Sequence, residues 1–160
     1  MKTFDELFIV VQQSCKHAAV VEAAMTPAGV KIDASDLRPV CLSLHGNPEV
    51  FFDVLSCITV VDNGPDAGML EIIYNLYSIP FNHHLGLKII LPRDSAQADS
   101  VEDIWKTANW HEREAWDMFG VNFKGHPDLR RILLPADWEG HPLRKDYKQQ
   151  EYYRGIKVES

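Results

Sequence analysis

The spacing of hydrophobic positions near the amino terminus predicts a helix followed by a short strand. Leu7 and Val11 belong to an apolar set that recurs at helical intervals, which predicts a helix over residues 4–25. Pro27 and the glycine that follows shortly after would end this helix. The apolar run at residues 30–32 then predicts a strand.

The next part of the chain predicts a second helix and a longer strand. Either Ser35 or Asp36 can cap a helix that continues to about Leu44. Residues 51–61 are rich in β-branched and aromatic side chains but have a mixed period, so we interpret them as a helical turn passing into a strand. Asn-Gly-Pro-Asp at 63–66 predicts a turn.

A hairpin is the clearest regular element that the pattern predicts. Residues 69–79 and 85–91 are two β-rich runs, and the Pro-Phe-Asn-His-His sequence between them is typical of a connecting loop. Because side chains alternate across a strand, three apolar residues of the second run share one face: Leu87, Ile89 and Leu91.

Two more helices are predicted in the second half of the chain. Ser100, followed by acidic residues, predicts a helix start. A further helix is predicted over residues 109–119, with Gly120 as its carboxyl-terminal cap. On this helix Arg113 and Asp117 are four residues apart, which predicts a surface ion pair.

This order of elements predicts an α+β protein. Helices and strands arrive in blocks with at least one hairpin, which favours a two-layer domain with a mixed or antiparallel sheet. We expect one such domain at residues 1–123. We expect residues 124–160 to be an irregular extension that packs on partner subunits, with an extended, poorly packed tail after Tyr147.

Charge makes nucleic acid an unfavourable main partner. The 160 residues contain 16 Lys and Arg and 23 Asp and Glu, for a net charge of −7. The excess of acids lies in residues 1–108, whereas residues 109–160 are balanced. This asymmetry either steers an acidic partner to the carboxyl-terminal third or is only a solvated surface.

The three cysteines predict buried free thiols in a reducing compartment. Cys15, Cys41 and Cys57 are far apart, odd in number and without a CxxC pair. They are too few for an Fe–S cluster held by this chain alone, since such clusters usually need four ligands. No apolar run approaches the ~20 residues that span a bilayer, so we expect a cytosolic protein without direct membrane insertion.

Histidines suggest a metal site only weakly. His111-Glu112 resembles the start of a zinc-protease helix, but Ala115 occupies the position of the required second histidine. His126 and His141 each lie between Gly and Pro, which predicts sharp changes of chain direction with the imidazoles bonded to local backbone. A free-standing metal hydrolase that uses these three histidines stays as an alternative.

No other catalytic pattern appears. The chain contains neither a GxSxG nucleophile motif nor a glycine-rich phosphate loop. We therefore expect no catalytic, cofactor-binding or metal-binding residues on this chain alone. Two basic pairs remain, Arg130–Arg131 and Arg144–Lys145, each next to an aspartate or one residue from it. We expect some of these side chains to form internal ion pairs and the others to face a partner.

The same segment resembles a known family. Residues 112–133 read EREAWDMFGVNFKGHPDLRRIL, and residues 138–147 read WEGHPLRKDY. Both blocks are similar to the signatures of the 30 kDa subunit of respiratory complex I, also called its C subunit. Weaker similarity extends back to about residue 52, and the first 45 residues match only in general layout. We call residues 112–147 the signature segment.

The resemblance implies a structural and assembly subunit in the peripheral arm of a proton-pumping NADH:quinone oxidoreductase. It implies a hetero-oligomer with the D subunit of complex I as partner and the B and I subunits nearby, on the cytoplasmic side of the inner membrane. FMN, Fe–S clusters and quinone chemistry would belong to other chains. The alternative is the equivalent subunit of a related membrane-bound hydrogenase or photosynthetic NDH complex.

Candidate residues follow from the motif and the resemblance. The partner-interface candidates are Arg130, Arg131, Trp138, His141, Arg144, Lys145, Asp146 and Tyr147. The structural candidates are Trp116, Phe119, Gly120, His126 and Pro127. If Trp116 is a buried core anchor, Trp116→Ala costs roughly 3–5 kcal/mol. We expect Arg144→Glu to leave the domain folded and to weaken assembly with the D subunit.

Overall fold

Three α-helices and nine strands build the fold in residues 2–158, which are the residues that the computed structural model describes. The helices are α1 (Phe4–Ser14), α2 (Leu37–Gly46) and α3 (Ala108–Phe119). The strands are β1 (Val20–Glu22), β2 (Gly29–Lys31), β3 (Val54–Asp62), β4 (Met69–Ser78), β5 (His83–Pro92), β6 (Gln97–Asp99), β7 (Asn122–Lys124), β8 (Tyr152–Tyr153) and β9 (Ile156–Lys157).

A five-stranded mixed sheet carries the fold in the order β1-β2-β5-β4-β3. Strands β4 and β5 form the predicted hairpin, in register from Met69 opposite Pro92 to Ser78 opposite His83. Strand β2 joins β5 in parallel, whereas β1 and β3 pair antiparallel with their neighbours. The α+β fold with a mixed sheet is therefore confirmed. Two smaller pairs, β6-β7 and β8-β9, lie outside this sheet.

One face of the sheet forms the core together with the helices. Alternate residues of β4 and β5 are buried there, as the period-2 pattern predicts. The predicted face of Leu87, Ile89 and Leu91 is confirmed as buried. Helices α1 and α2 contact each other, and their apolar side chains join the same cluster, among them Leu7, Val11, Leu37, Val40 and Leu44.

The first helix is shorter than predicted. We expected a helix over residues 4–25, but α1 ends at Ser14 and β1 occupies part of the remainder. The buried carboxylate of Asp36 explains the change, because it accepts hydrogen bonds from the backbone amides of Lys16 (3.1 Å) and His17 (3.0 Å). These bonds turn the chain out of the helix and toward the sheet edge.

The prediction of a helix starting at Ser100 is wrong. The chain makes turns through residues 102–107, and α3 begins only at Ala108. The Ser100 hydroxyl donates to the carboxylate of Glu112 on α3 (2.6 Å), and the amide of Val101 donates to the same carboxylate (2.8 Å). Because Ser100 and Val101 are bonded to Glu112 on α3, residues 100–107 form a connecting loop and not a helix.

Three other predicted elements are present, whereas the cysteines and the tail differ in part from the prediction. The strand at 30–32, the second helix and the helix at 109–119 are confirmed within one to four residues. All three cysteines are free, but only Cys41 is buried, because Cys15 and Cys57 are half-exposed. The tail after residue 147 includes the small β8-β9 hairpin, which the sequence analysis missed.

The predicted division at residues 123 and 124 stays a prediction. Strand β7 runs across it, pairing in parallel with β6. No helix among residues 2–158 is long and apolar enough to cross a membrane.

A buried acid links the core to α3. Glu112 is fully buried, and its carboxylate accepts from Ser100 and Val101, neither of which is a cation. Burial raises the pKa of Glu112 from 4.5 to about 7. An acid whose pKa is higher in the folded state binds its proton more tightly there. The contribution of Glu112 to the free energy of unfolding is therefore fully present below about pH 4.5 and is lost as the pH rises through about 7.

Glu112→Gln tests this pH dependence. The amide keeps both hydrogen bonds, because its oxygen accepts from Val101 and its nitrogen can donate to Ser100, but it carries no charge. We expect the variant to gain about 2–3 kcal/mol relative to the native chain between pH 5 and pH 8. Urea denaturation at pH 5, 6, 7 and 8 measures the difference. Glu114→Gln on the exposed side of α3 controls for the lost charge, and a constant Glu112→Gln difference across this range contradicts the prediction.

Candidate functional site

The signature segment is organised around the side chain of Asp117. This aspartate lies in the last turn of α3 and is fully buried. One carboxylate oxygen accepts from three consecutive backbone amides, those of Ile132 (3.0 Å), Leu133 (2.8 Å) and Leu134 (2.9 Å). The other oxygen accepts from the Arg131 guanidinium at 2.6 Å. The irregular chain after residue 130 therefore wraps around a single carboxylate.

These bonds keep Asp117 ionised although it is buried. Burial acts to raise the pKa of its carboxyl, but the amide of Leu134, the Arg131 guanidinium and the amides of Leu133 and Ile132 together outweigh it and lower the pKa. Arg131 also donates to the carbonyls of Trp138 (2.7 Å) and Gly140 (3.0 Å). The ion pair between Asp117 and Arg131 thus joins α3 to residue 131 and, through the Arg131 guanidinium, to the backbone at residues 138–140.

The prediction of a surface pair between Arg113 and Asp117 is wrong. Asp117 faces inward, and Arg113 donates instead to the carbonyls of Arg130 and Arg131 at 3.2 Å each. Arg113 also lies over the ring of the exposed Trp110, 5.5 Å from its centroid. Arg113 and Asp117 therefore both hold the segment, each through its own set of backbone groups.

Trp116 and His141 pack over the end of α3. Trp116 is half-buried, with the Arg131 guanidinium 5.6 Å from its ring centroid and the His141 ring edge-on at 6.4 Å. His141 donates to the Asp117 carbonyl at 3.0 Å. Gly120 caps the helix at φ +76°, and a β-carbon there would lie 2.6 Å from the His141 ring. Gly120 is therefore needed both for its backbone conformation and for this contact.

A second charge cluster, with buried Arg93 and Asp62 and the half-exposed Asp146, ties the segment to the sheet. Arg93, just after β5, makes two hydrogen bonds to Asp62 at the end of β3, at 2.9 and 3.1 Å. It also binds the carboxylate of Asp146. Asp62 in addition accepts from the backbone amide of Lys145 at 2.8 Å. The Arg93 guanidinium holds the pKa of the Asp62 carboxyl well below its usual range.

Arg144 joins the two clusters. Its guanidinium donates to the carbonyl of Phe119 at 2.7 Å and to the carbonyl of Arg93 at 3.2 Å. These bonds change the expected result of Arg144→Glu to a destabilised chain, because both carbonyls would lose their donor and face a negative charge. The interface role of Arg144 stays a prediction. The side chain of the neighbouring Lys145 is exposed.

The remaining candidates bond within the segment or to the start of α3. The Trp138 indole donates to the Tyr147 hydroxyl at 3.1 Å. His126 donates to the carbonyl of Asn109 (3.1 Å) and accepts from the backbone amide of Asp128 (3.0 Å), so both of its ring nitrogens are engaged. Pro127 is exposed, as is Arg130, whose charged partner is Asp128 at 2.8 Å.

The structure offers no metal-binding cluster in the part of the chain that it describes. No group of three or more His, Cys, Asp or Glu side chains among residues 2–158 is placed to hold a metal ion. His126 and His141 both bond to backbone, as predicted, but each donates to a distant carbonyl on α3, that of Asn109 or Asp117, and only the bond from the Asp128 amide to His126 is local.

Sequence reasoning missed Asp62, Arg93 and the inward orientation of Asp117. One signal was available: Asp62 and Arg93 are charged residues placed directly at the ends of apolar β-runs. Charges in such positions are close to the core and need partners when buried. Their shared partner segment, at Lys145 and Asp146, is more than 50 residues away from Arg93, so no local pattern reveals it.

We predict that Asp117→Asn is strongly destabilising. The amide is neutral, so the Arg131 guanidinium loses its buried counter-charge, and we expect a loss of about 3–5 kcal/mol. Chemical denaturation measures this loss. Asp137→Asn, which breaks the exposed pair with Arg154, is the matched control and should leave the midpoint unchanged. Equal midpoints for the two variants would show that Asp117 does not organise the segment.

Trp116→Ala should cost less than a core substitution. Because Trp116 is half-buried, we expect a loss of about 1–3 kcal/mol in urea denaturation, below the range for a buried tryptophan. The loss comes from its contacts with Arg131 and His141. A measured loss above this range would mean that the side chain acts as a core anchor.

Sequence comparison places these features in a known family. Residues 30–153 match the model of the respiratory-chain NADH dehydrogenase 30 kDa subunit. The NADH-quinone oxidoreductase C subunit of Chlorobium phaeobacteroides is 48% identical over 128 residues, 79% of this chain and 76% of that protein. The C subunit of Geotalea uraniireducens is 42% identical, over 79% and 78%. The match to the 51% identical C subunit of Chloroherpeton thalassium covers 76% of this chain but only 50% of that longer protein.

Solved structures share the fold. A chain of a membrane-bound sulfane sulfur reductase, an archaeal respiratory membrane complex, superposes with a TM-score of 0.74 at 26% identity, covering 90% of this chain and 85% of that one. A trypsin-resistant fragment of Nqo5 superposes with a TM-score of 0.59 at 24% identity, over 69% and 89%, which supports the fold alone. With the family match over residues 30–153, the chain belongs to the 30 kDa subunit family of respiratory-chain NADH dehydrogenase, the C subunit of complex I.

Proposed function

We propose that this chain is a non-catalytic structural and assembly subunit in the peripheral arm of a proton-pumping NADH:quinone oxidoreductase. It would support electron transfer from NADH to quinone, with FMN and Fe–S clusters held by other subunits. The observation that carries the proposal is that charged side chains of the signature segment bind groups of their own chain. Glu112, Arg113, Asp117 and Arg131 all bind groups within the chain.

This use of charge is typical of a scaffold. A catalytic acid or base needs a reacting group within hydrogen-bond reach, in a pocket that admits substrate. Asp117 instead uses both oxygens to bind four donors of its own chain. Irregular backbone held this firmly can present side chains in a fixed geometry, which lowers the entropy cost of binding a partner.

The exposed surface of this segment includes large apolar side chains among its charged ones. Leu133 is 63% exposed although its amide is bonded to Asp117, Leu143 is also exposed, and so is Trp110 just before the segment. Arg130 and Lys145 add exposed positive charge nearby in sequence. Apolar and arginine side chains on rigid backbone are typical of interface centres. We propose the D subunit of complex I as the partner of this surface, with the B and I subunits nearby, in a hetero-oligomer.

We place this assembly on the cytoplasmic side of the inner membrane, as a peripheral part of the complex. The family membership supports this location. Electron carriers would pass electrons through neighbouring chains, while this chain maintains the geometry between them.

A second candidate is the equivalent subunit of a related membrane complex with another electron donor, such as a membrane-bound hydrogenase or a photosynthetic NDH complex. The superposition on a chain of the sulfane sulfur reductase favours it. Sequence identity favours the NADH enzyme, at 48% and 42% against 26%. Identification of the subunits that co-purify with the tagged chain distinguishes the two, because only the first should bring down the NADH-input subunits.

Leu133→Asp tests the proposed partner surface. Because most of this side chain is exposed, we expect an unchanged melting temperature and at least about a tenfold lower recovery of the D subunit with the tagged chain. Quantitative mass spectrometry of the purified complex measures the recovery. Leu42→Asp is the matched control, since Leu42 is 48% exposed on the outer side of α2.

Two results contradict the proposed surface. Equal recovery of the D subunit with Leu133→Asp and with the control would place the partner elsewhere. A lowered melting temperature for Leu133→Asp alone would show that Leu133 stabilises the chain itself.

A further inference from the structure

A strained phenylalanine faces solvent far from the signature segment in sequence. Phe51 lies between α2 and β3 with a φ of +24°, and its side chain is 37% exposed. A bulky residue in this conformation costs of order 1–3 kcal/mol and persists only where surrounding contacts impose it. The ring packs beside His45, with the centroids 5.6 Å apart, and still leaves over a third of the side chain in solvent.

Side chains from three parts of the fold impose the conformation. The carbonyl of Val50 accepts from the ring of His83 on β5 at 2.8 Å. The carbonyl of Phe52 accepts from His45 on α2 and from the indole of Trp105, both at 3.0 Å. Phe52 is fully buried, so the backbone on both sides of the strained residue is clamped into the core.

Phe51 and one of the three donors, His45, line an apolar depression, which we call the Phe51 depression. It encloses about 640 Å³ and is wide open to solvent. Its lining, all within the described part of the chain, carries no Asp, Glu, Lys or Arg and consists of His45, Gly46, Pro48, Phe51, Pro80 and Phe81. Ile79, adjacent in sequence, is 61% exposed. Proline and aromatic rings lose little entropy on binding, so this surface is pre-organised.

Acidic groups stand beside this lining. Glu49 follows Pro48 and is exposed, with Lys2 as its ion-pair partner at 3.2 Å. Asp53 accepts from the backbone amide of Ile79, next to Pro80. With two carboxylates and one ammonium, this set has a net negative charge. The charge disfavours an anionic lipid surface and favours a partner with a positive group next to its apolar contact.

We infer that the Phe51 depression is a second docking site, which receives a segment of another protein subunit with an aliphatic or aromatic anchor flanked by Lys or Arg. The inference rests on the proposed assembly function but uses a surface separate from the signature segment. It gives a role to a partly exposed ring whose neighbouring backbone carbonyls, those of Val50 and Phe52, are held by three donors. The anchor would pack between the rings of Phe51 and Phe81, and its basic neighbour would lie near Glu49.

Photo-crosslinking within the assembled complex tests the inference. The full chain carries p-benzoylphenylalanine in place of Phe51, Leu133 or Leu42 in three separate preparations, and each assembled complex is irradiated and analysed by mass spectrometry. From position 51 we expect a crosslink to another subunit, in a peptide with an apolar residue next to Lys or Arg. We expect at least about tenfold less product from position 42.

The crosslinking outcomes distinguish the docking site at Phe51 from the proposed partner surface of the signature segment. Crosslinking at 133 without crosslinking at 51 overturns the second docking site alone, whereas the reverse pattern overturns the proposed signature surface alone. Crosslinks from position 51 to lipid, to a second copy of this chain or to an acidic segment also overturn the inference.

A charge change gives an independent measurement. Glu49→Lys, combined with the probe at position 51, should lower the crosslink yield about threefold or more at low salt, because it reverses the charge beside the depression. Glu151→Lys, an exposed acid in the tail, is the matched control. Equal crosslink yields from Glu49→Lys and Glu151→Lys would show that the partner segment has no Lys or Arg beside its apolar anchor.

Discussion

The buried carboxylate of Asp117 is the constraint on which the signature segment depends. Three consecutive amides and one guanidinium converge on it, so the chain after α3 has a defined path without forming a helix or strand there. Each of these backbone groups would need another partner if the carboxylate were absent. Because the same arginine donates to the carbonyls of Trp138 and Gly140, one ion pair connects α3 to the second Gly-His-Pro corner.

The second charge cluster connects this irregular segment to regular structure. Arg93 and Asp62 lie at strand ends, and Asp146 reaches them from the segment. Buried charges are costly unless each is paired and hydrogen-bonded, and here every member has at least two bonds. The family signature thus describes a brace between a sheet edge and a helix end. Under the proposed function this brace presents a rigid surface to a partner, and the Phe51 clamp applies the same principle with aromatic donors.

Much of the fold and part of the site were predictable. The hairpin, α2, α3 and the Gly120 cap follow from periodicity and local backbone preference, and the family follows from the motif at 112–147. Some basic side chains were expected to form internal ion pairs and the others to face a partner; Arg131 forms such an internal pair, whereas Arg130 is exposed and pairs with Asp128. Which residue takes which role was not predictable, because these two arginines are neighbours in sequence yet only one of them contacts the buried carboxylate.

The sequence by itself determined the elements whose information is local: apolar alternation in β4 and β5, helical spacing in α3, and glycine at the positive φ that ends α3. Tertiary structure alone decided where helices stop and where charges point. Asp36 ends α1 by binding amides 19 and 20 residues away, Glu112 converts a predicted helix start into a connection, and Asp117 turns inward. In each case a buried carboxyl group binds donors that are distant in sequence, and the energy of these bonds depends on burial, which no local pattern encodes.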